Sequence, residues 1–201
     1  MNTPTKSVMI VGVGGQGSLL ASRLLGRVLL NRGYDVKVSE VHGMSQRGGS
    51  VVTYVRYGDK VFSPIVDEGG AEIIISFELL EAARALPFLA NGGIIVSNTQ
   101  KIDPMPVIIG AAAYPEGLEA KISAAAEALG GRLDAFDALA TAQEAGNAKA
   151  VNIALMGRAS RHFDIAEGEW LEALGQVVPE RLLEVNKKAF ALGAAANTAT
   201  A

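Results

Sequence analysis

Residues 8–30 read VMIVGVGGQGSLLASRLLGRVLL, an apolar run that breaks at Gly12-Val-Gly14-Gly15-Gln16-Gly17 and resumes with apolar side chains at helical spacing. The order is strand, tight glycine turn, helix, and it sets an α/β reading for the chain. Gly12 supplies the backbone freedom of a sharp turn, Gly14 leaves the helix start without a Cβ, and Gly17 lets the helix lie close to the strand. Free N–H donors and the positive end of the helix dipole coincide at such a helix start, which favours phosphate or carboxylate above it. The letters also match the dinucleotide pattern GxGxxG in its strand-to-helix context. A nicotinamide or flavin site asks in addition for an acidic residue at the end of the second strand, about 20 residues further on. Glu40 stands near there, but the polar loop Val41-His42-Gly43-Met44-Ser45-Gln46-Arg47-Gly48-Gly49 that follows is more than a cofactor half-domain calls for. Two readings of the turn stand: an autonomous NAD or FAD site, or a turn that packs a helix and meets a partner's ligand.

The 201 residues suffice for one domain with a substantial core. A single domain over 1–201 is expected, with an α/β core at about 7–140 and a helical section at about 141–196. Hydrophobic residues make up 49% of the chain and aromatic ones only 5%, so Ala, Val, Ile and Leu build the core, as buried parallel strands require. A net charge of −3 without a basic run argues against nucleic acid. The absence of cysteine excludes a disulfide, a thiolate nucleophile and thiolate ligands to zinc or an iron–sulfur cluster, so any such centre belongs to another subunit. Residues 1–7 do not read as a signal peptide, and no apolar stretch of ~18 residues suggests a membrane span. The cytoplasm is the expected location.

Outward from the first helix, Asn31-Arg32-Gly33 is a C-terminal stop, and residues 36–41 form a second strand. Residues 50–57 alternate and are rich in β-branched and aromatic side chains. Residues 61–66, with Pro64 among them, read as their partner across the Gly58-Asp59 turn, giving a hairpin inserted beside a mostly parallel, Rossmann-like sheet. Further alternation is expected: a strand at 72–77, a helix at 78–89 stopped by Gly92-Gly93, strands at 94–97 and 107–111, a helix at 116–129 and a strand at 133–137. From Thr141 the strand signal ends, and helices are expected at 148–163, 167–175 and 179–192.

Side chains suited to chemistry are few. His42 and His162 are the only histidines, with no HExxH spacing, no Gly-x-Ser-x-Gly elbow and no lysine-bearing phosphate loop. His162, next to Arg161 near a helix end, reads as a solvated terminal side chain. Gly58-Asp59-Lys60 is not the Gly-Asp-Gly of thiamine diphosphate sites. No catalytic residue is assigned, and the chain is expected to hold no metal or cofactor. The loop SEVHGMSQRGGS at 39–50 is different, because it leaves the end of strand two, where open α/β sheets place their ligands. Gly43, Gly48 and Gly49 permit close backbone approach, and Arg47 offers a planar fork for carboxylate or phosphate. The bland alternative is an exposed loop whose arginine pairs with Glu40. The candidate ligand-binding or subunit-interface residues are Gly12, Gly14, Gly15, Gln16 and Gly17 of the turn, with Ser39, Glu40, His42, Met44, Gln46, Arg47, Gly48 and Gly49 of the loop.

Together with Arg56-Tyr-Gly58, Ser63-Pro64-Ile65, Lys149-Ala-Val-Asn152 and Glu184-Val-Asn-Lys-Lys-Ala-Phe190, these stretches resemble the gamma-type domain of 2-oxoacid:ferredoxin oxidoreductases over about residues 7–190. The SEVHGMSQRGG form is nearest the branch acting on indolepyruvate; relatives specific for pyruvate usually show a tyrosine-containing variant. The resemblance implies a subunit of an enzyme that oxidatively decarboxylates arylpyruvates to acyl-coenzyme A and passes the electrons to ferredoxin. It also implies that thiamine diphosphate, magnesium and 4Fe–4S clusters sit on a larger partner subunit. Related pyruvate and 2-oxoglutarate oxidoreductases are the neighbouring possibility. On this view the glycine turn and the Arg47 loop face the partner and help form the coenzyme A or substrate side of a shared site.

Overall fold

The strand, glycine turn and helix of residues 8–30 open the fold of the computed structural model, which describes residues 4–42 and 49–196. In chain order the elements are β1 (Lys6–Val13), α1 (Ser18–Asn31), β2 (Asp35–His42), β3 (Ser50–Gly58), β4 (Ala71–Ser76), α2 (Leu79–Ala85), β5 (Leu89–Asn98), α3 (Met105–Ile108), α4 (Leu118–Ala128), β6 (Arg132–Phe136), α5 (Ala138–Ala145), α6 (Val151–Ser160), α7 (Glu167–Val177) and α8 (Glu180–Ala195). The six strands form one sheet in the order β2-β3-β1-β4-β5-β6. β1, β4, β5 and β6 run parallel, while β3 lies antiparallel between β1 and β2. The sequence follows this division. β1 and β4, covered on both faces, are nearly continuous apolar runs. β3 alternates, burying Val51, Thr53, Val55 and Tyr57 on one face.

Each face of the sheet carries its own core. On the α1 face, Val8, Ile10, Ile75 and Phe77 pack with α1 and the four C-terminal helices around Trp170 and Phe190. On the other face Met9, Val11, Ile74 and Ile95 meet α2 and α4. The helical section owes its density to small residues. A Cβ on Gly193 would stand 1.9 Å from the Ala154 carbonyl oxygen, and one on Gly157 would stand 2.0 Å from that of Phe190, so α6 and α8 touch backbone to backbone. No helix among the described residues is long and apolar enough to cross a membrane.

Three expectations are corrected. The hairpin that enters the sheet is β2–β3, and residues 61–66 are not a strand. Pro64 lacks an N–H for a ladder, and the Arg56 guanidinium crosses over to take the carbonyls of Ser63 and Ile65 at 3.2 and 3.1 Å. That contact gives the Arg56 and Ser63-Pro64-Ile65 motifs a shared purpose. Residues 107–111 are not a strand either. Pro104 and Pro106 start the short α3, and β5 already has β4 and β6 on its two sides. The helix after β4 ends at Ala85, with Pro87 in the 3-10 turn that follows, and Gly92-Gly93 lie inside β5, where the register to β4 shifts.

Candidate functional site

The carboxyl ends of β1, β4, β5 and β6 form one edge of the molecule, and because β2 and β3 are antiparallel, the two ends of the loop between them, His42 and Ser50, reach the same edge. His42 stands opposite Val51 and Ser50 opposite Val13. The glycine turn and the loop are joined directly: the Gly14 N–H donates to the Gly49 carbonyl at 3.0 Å. Ser50 then bonds to the buried Glu81 carboxylate, which also pairs with Arg84 in the first turns of α2. The structure thus brings Gly12, Gly14, Gly15, Gln16, Gly17 and Gly49 together. Met44, Gln46, Arg47 and Gly48 lie outside the described residues, and of His42 only the backbone is described.

The turn is closed by its own glutamine. Gln16 Oε1 accepts the Val13 N–H at 2.7 Å, and its Nε2 donates to the Phe77 carbonyl at 3.0 Å, so one amide strings β1 to the end of β4. Asn98, at the end of β5, donates to the same Phe77 carbonyl at 3.3 Å and accepts the Ala138 N–H at 3.1 Å. The carboxyl edge is therefore stitched from β1 to α5 by two uncharged amides. Gly17 takes a left-handed φ of 85° as the residue before α1. Its close neighbour is not the strand, as expected from the sequence, but the helical section: an added Cβ would lie 2.6 Å from Asn152 Nδ2, which donates to the Gly17 carbonyl at 3.3 Å. Asn152 belongs to the Lys149-Ala-Val-Asn152 stretch, whose place in the motif is thereby explained.

Glu78, 1% exposed, was not among the residues singled out from the sequence. One carboxylate oxygen caps α2 by accepting the Glu81 N–H at 3.0 Å; the other accepts the Ile102 N–H at 3.1 Å and the Tyr114 hydroxyl. Burial first, and then this bond to Glu78, raise the Tyr114 pKa and keep the phenol a donor. The signal lay in EIIISFE: an acid directly after a buried parallel strand has to cross the carboxyl edge and find donors there.

A dinucleotide site is not what this edge builds. Glu40 sits on β2 opposite Thr53, whose hydroxyl approaches it at 3.3 Å, and β3 separates it from β1. Two strand spacings, about 9–10 Å, lie between Glu40 and the turn's strand, whereas the ribose-binding acid belongs on the neighbouring strand. Ser39 pairs with Tyr54 in the same ladder. Among the described residues no group of three or more His, Asp or Glu is placed to hold a metal ion. His162 corrects its expected role: it is nearly buried at the opposite, amino edge, with Nε2 2.7 Å from Asp134 Oδ2, and Asp134 also receives Arg158 at 2.8 Å.

Fold and edge define a Rossmann-like module whose described polar side chains at the carboxyl edge hold turns and loops. Comparison with known proteins makes this specific. The family described as Pyruvate ferredoxin/flavodoxin oxidoreductase matches residues 7–196. The Indolepyruvate oxidoreductase subunit IorB of Thermococcus kodakarensis is 44% identical over 189 residues, 93% of each chain. The keto/oxoacid ferredoxin oxidoreductase gamma subunit from Geobacter sulfurreducens superimposes with a TM-score of 0.68 at 20% identity, covering 94% of this chain and 95% of that one, a likeness of fold. The fold recurs in the 2-oxoglutarate:ferredoxin oxidoreductase from Magnetococcus marinus at a TM-score of 0.63 and 17% identity, where it covers 97% of this chain but 32% of that one. The chain belongs to this oxidoreductase family, as a gamma-type subunit of the 2-oxoacid:ferredoxin oxidoreductases.

Proposed function

We propose that this chain is the non-cluster subunit of a cytoplasmic indolepyruvate, or more broadly arylpyruvate, ferredoxin oxidoreductase. The complete enzyme decarboxylates the 2-oxoacid, transfers the acyl group to coenzyme A and delivers the electrons to ferredoxin. A larger subunit supplies thiamine diphosphate, magnesium and the 4Fe–4S clusters, since a chain without cysteine offers a cluster no thiolate. This chain contributes its carboxyl edge. The glycine turn Gly12–Gly17 and the loop from Ser39 to Gly49 face the larger subunit, and Arg47 provides a bidentate donor to a carboxylate or phosphate of substrate or coenzyme A. The observation that supports the reading is the Gly14 to Gly49 hydrogen bond, which joins the turn to the end of the loop. Identity of 44% to an indolepyruvate oxidoreductase subunit favours arylpyruvate over the related pyruvate and 2-oxoglutarate enzymes, and competition between these substrates for the assembled enzyme separates the readings.

Substitution of Arg47 by alanine in the reconstituted complex is the test. A charge-assisted bidentate pair is worth ~1.5–3 kcal/mol, so turnover is expected to fall about ten- to a hundredfold with assembly intact. Turnover equal to wild type would remove Arg47 from the site. Within the proposal the chain is a single domain, because the helical section shares the α1-face core with the sheet. One calorimetric transition is expected, and two separate ones would divide it.

A further inference from the structure

Between β5 and α4 the chain leaves the sheet and makes a closed excursion, residues 102–114, that meets the cores only through Tyr114 at its end. At its tip three large apolar side chains are set in solvent: Met105 is 61% exposed, Ile108 66% and Ile109 69%. Single exposed apolar residues need no explanation, but three within five positions on one short turn mark an interaction surface.

The excursion is built rather than loose. The Pro104 carbonyl accepts from Val107 and Ile108 at 2.9 and 3.1 Å, and the Pro106 carbonyl accepts from Ala111 and Ala112 at 2.8 and 3.0 Å. Prolines at 104 and 106 restrict the chain before it folds. Both ends are held by one group, the Glu78 carboxylate, through Ile102 and Tyr114. A buried carboxylate is costly to desolvate, and here it pins a solvent-exposed apolar tip in one orientation, the condition under which a docking element loses least entropy on binding.

Its root is continuous with the glycine turn. Glu78 follows Phe77, whose carbonyl Gln16 and Asn98 hold, and the Leu79 N–H takes the Gln100 carbonyl at 3.2 Å. We propose that residues 102–114 are a docking arm whose tip, Met105, Ile108 and Ile109, seats in an apolar groove of the larger subunit. The assignment rests on the reading of the carboxyl edge given above. A second copy of this chain fits less well. Its apolar groove lies between α1 and β2, lined by Leu19, Leu30 and Val38, at the far margin of the sheet. An arm entering it would make a head-to-tail contact, which propagates unless the rotation happens to close.

The test is the double variant I108E/I109E, co-expressed with the larger subunit, with I108V/I109L as its conservative counterpart. Both sites are solvent-exposed, so thermal unfolding of the isolated chain should stay near wild type. By titration of separated subunits, I108E/I109E is expected to lose at least ~30-fold in affinity, the drop given by a residue at the centre of an interface, while I108V/I109L keeps it. Wild-type affinity for I108E/I109E overturns the arm and leaves the carboxyl-edge reading standing. Failure of the unaltered chain to bind the larger subunit overturns both. Self-association of the isolated chain that I108E/I109E abolishes would assign the tip to a second copy and overturn the proposal as well.

Discussion

The two edges of the sheet use polar side chains in opposite ways. At the amino edge the groups are ionic and satisfy one another: Asp134 takes Arg158 and His162, and Arg158 continues to the Ala196 carbonyl, fastening the end of α8 to β6. At the carboxyl edge one ion pair, Glu81 with Arg84, holds Ser50, but the remaining groups, two amides of the strand ends, Asn152 and the buried Glu78, bond mainly to backbone atoms: Val13, Phe77, Ala138, Gly17 and Ile102. The first arrangement closes on itself and serves stability. The second spends its hydrogen bonds on positioning the turns and segments of that edge, which is what the proposed completion of another chain's site requires. The amino edge also has a cavity of about 250 Å³ beside His162, Glu72 and Tyr57, and burial, aided by the Glu72 charge, pushes the Tyr57 phenol up to about 12, so it stays neutral.

The largest expected effect breaks the ionic edge. Asp134→Ala removes the carboxylate partner of a largely buried guanidinium and should cost about 3–5 kcal/mol in denaturant unfolding, yet the folded fraction should still bind the larger subunit. Acid titration sharpens the point. Burial acts to raise the Asp134 pKa, and the bonds from His162 and Arg158 overcome it, leaving it below the usual carboxylate value. The unfolded chain therefore takes up this proton first on acidification. The contribution is complete above the unfolded pKa of ~3.9 and is lost as pH falls through the lower folded value. Asp134→Asn should accordingly show a shallower loss of stability below about pH 4; an unchanged acid slope would show that the triad contributes nothing.

Glu78→Ala comes next. It removes an N-cap and two further bonds to a carboxylate, so about 2–3 kcal/mol should go, and here weakened assembly is expected to accompany the loss. Assembly at wild-type affinity would place Glu78 with the amino-edge residues as purely structural. Gln16→Ala should cost only about 1 kcal/mol but lower turnover of the complex out of proportion if, as proposed, the turn it ties faces the partner; proportionate losses would deny the turn any role in the site. The smallest effect is an expected silence: NADH titrated into the isolated chain should show no dissociation constant below about 10 μM, since β3 separates Glu40 from β1.

Much of this was legible in the sequence. Residues 8–30 declared a strand, a glycine turn and a helix, and the apolar runs of β1, β4 and β5 declared buried parallel strands, because those patterns are set locally. What local pattern does not carry is partner choice. Residues 50–57 were recognisable as a strand, but nothing in them says that they separate β2 from β1, and that placement is what undoes the dinucleotide reading. Residues 107–111 have strand composition yet form a helical turn, since no sheet position is left for them. Glu78 and Asn98 escaped notice, and the role of Asn152 within its motif stayed hidden, because each acts on a backbone group distant in sequence: Glu78 on Ile102, Asn98 on Ala138, Asn152 on Gly17. His162 misled for the converse reason, its partner Asp134 lying on another element.

Backbone hydrogen exchange, compared between the free chain and its complex with the larger subunit, tests the division of the two edges most directly. Complex formation is expected to slow exchange at residues 12–17, 40–50 and 102–114 and to leave residues 91–93 and 160–164 at the amino edge as they were. Protection at the amino edge, with the glycine turn and the loop unchanged, would contradict the account and move the partner to the other side of the molecule.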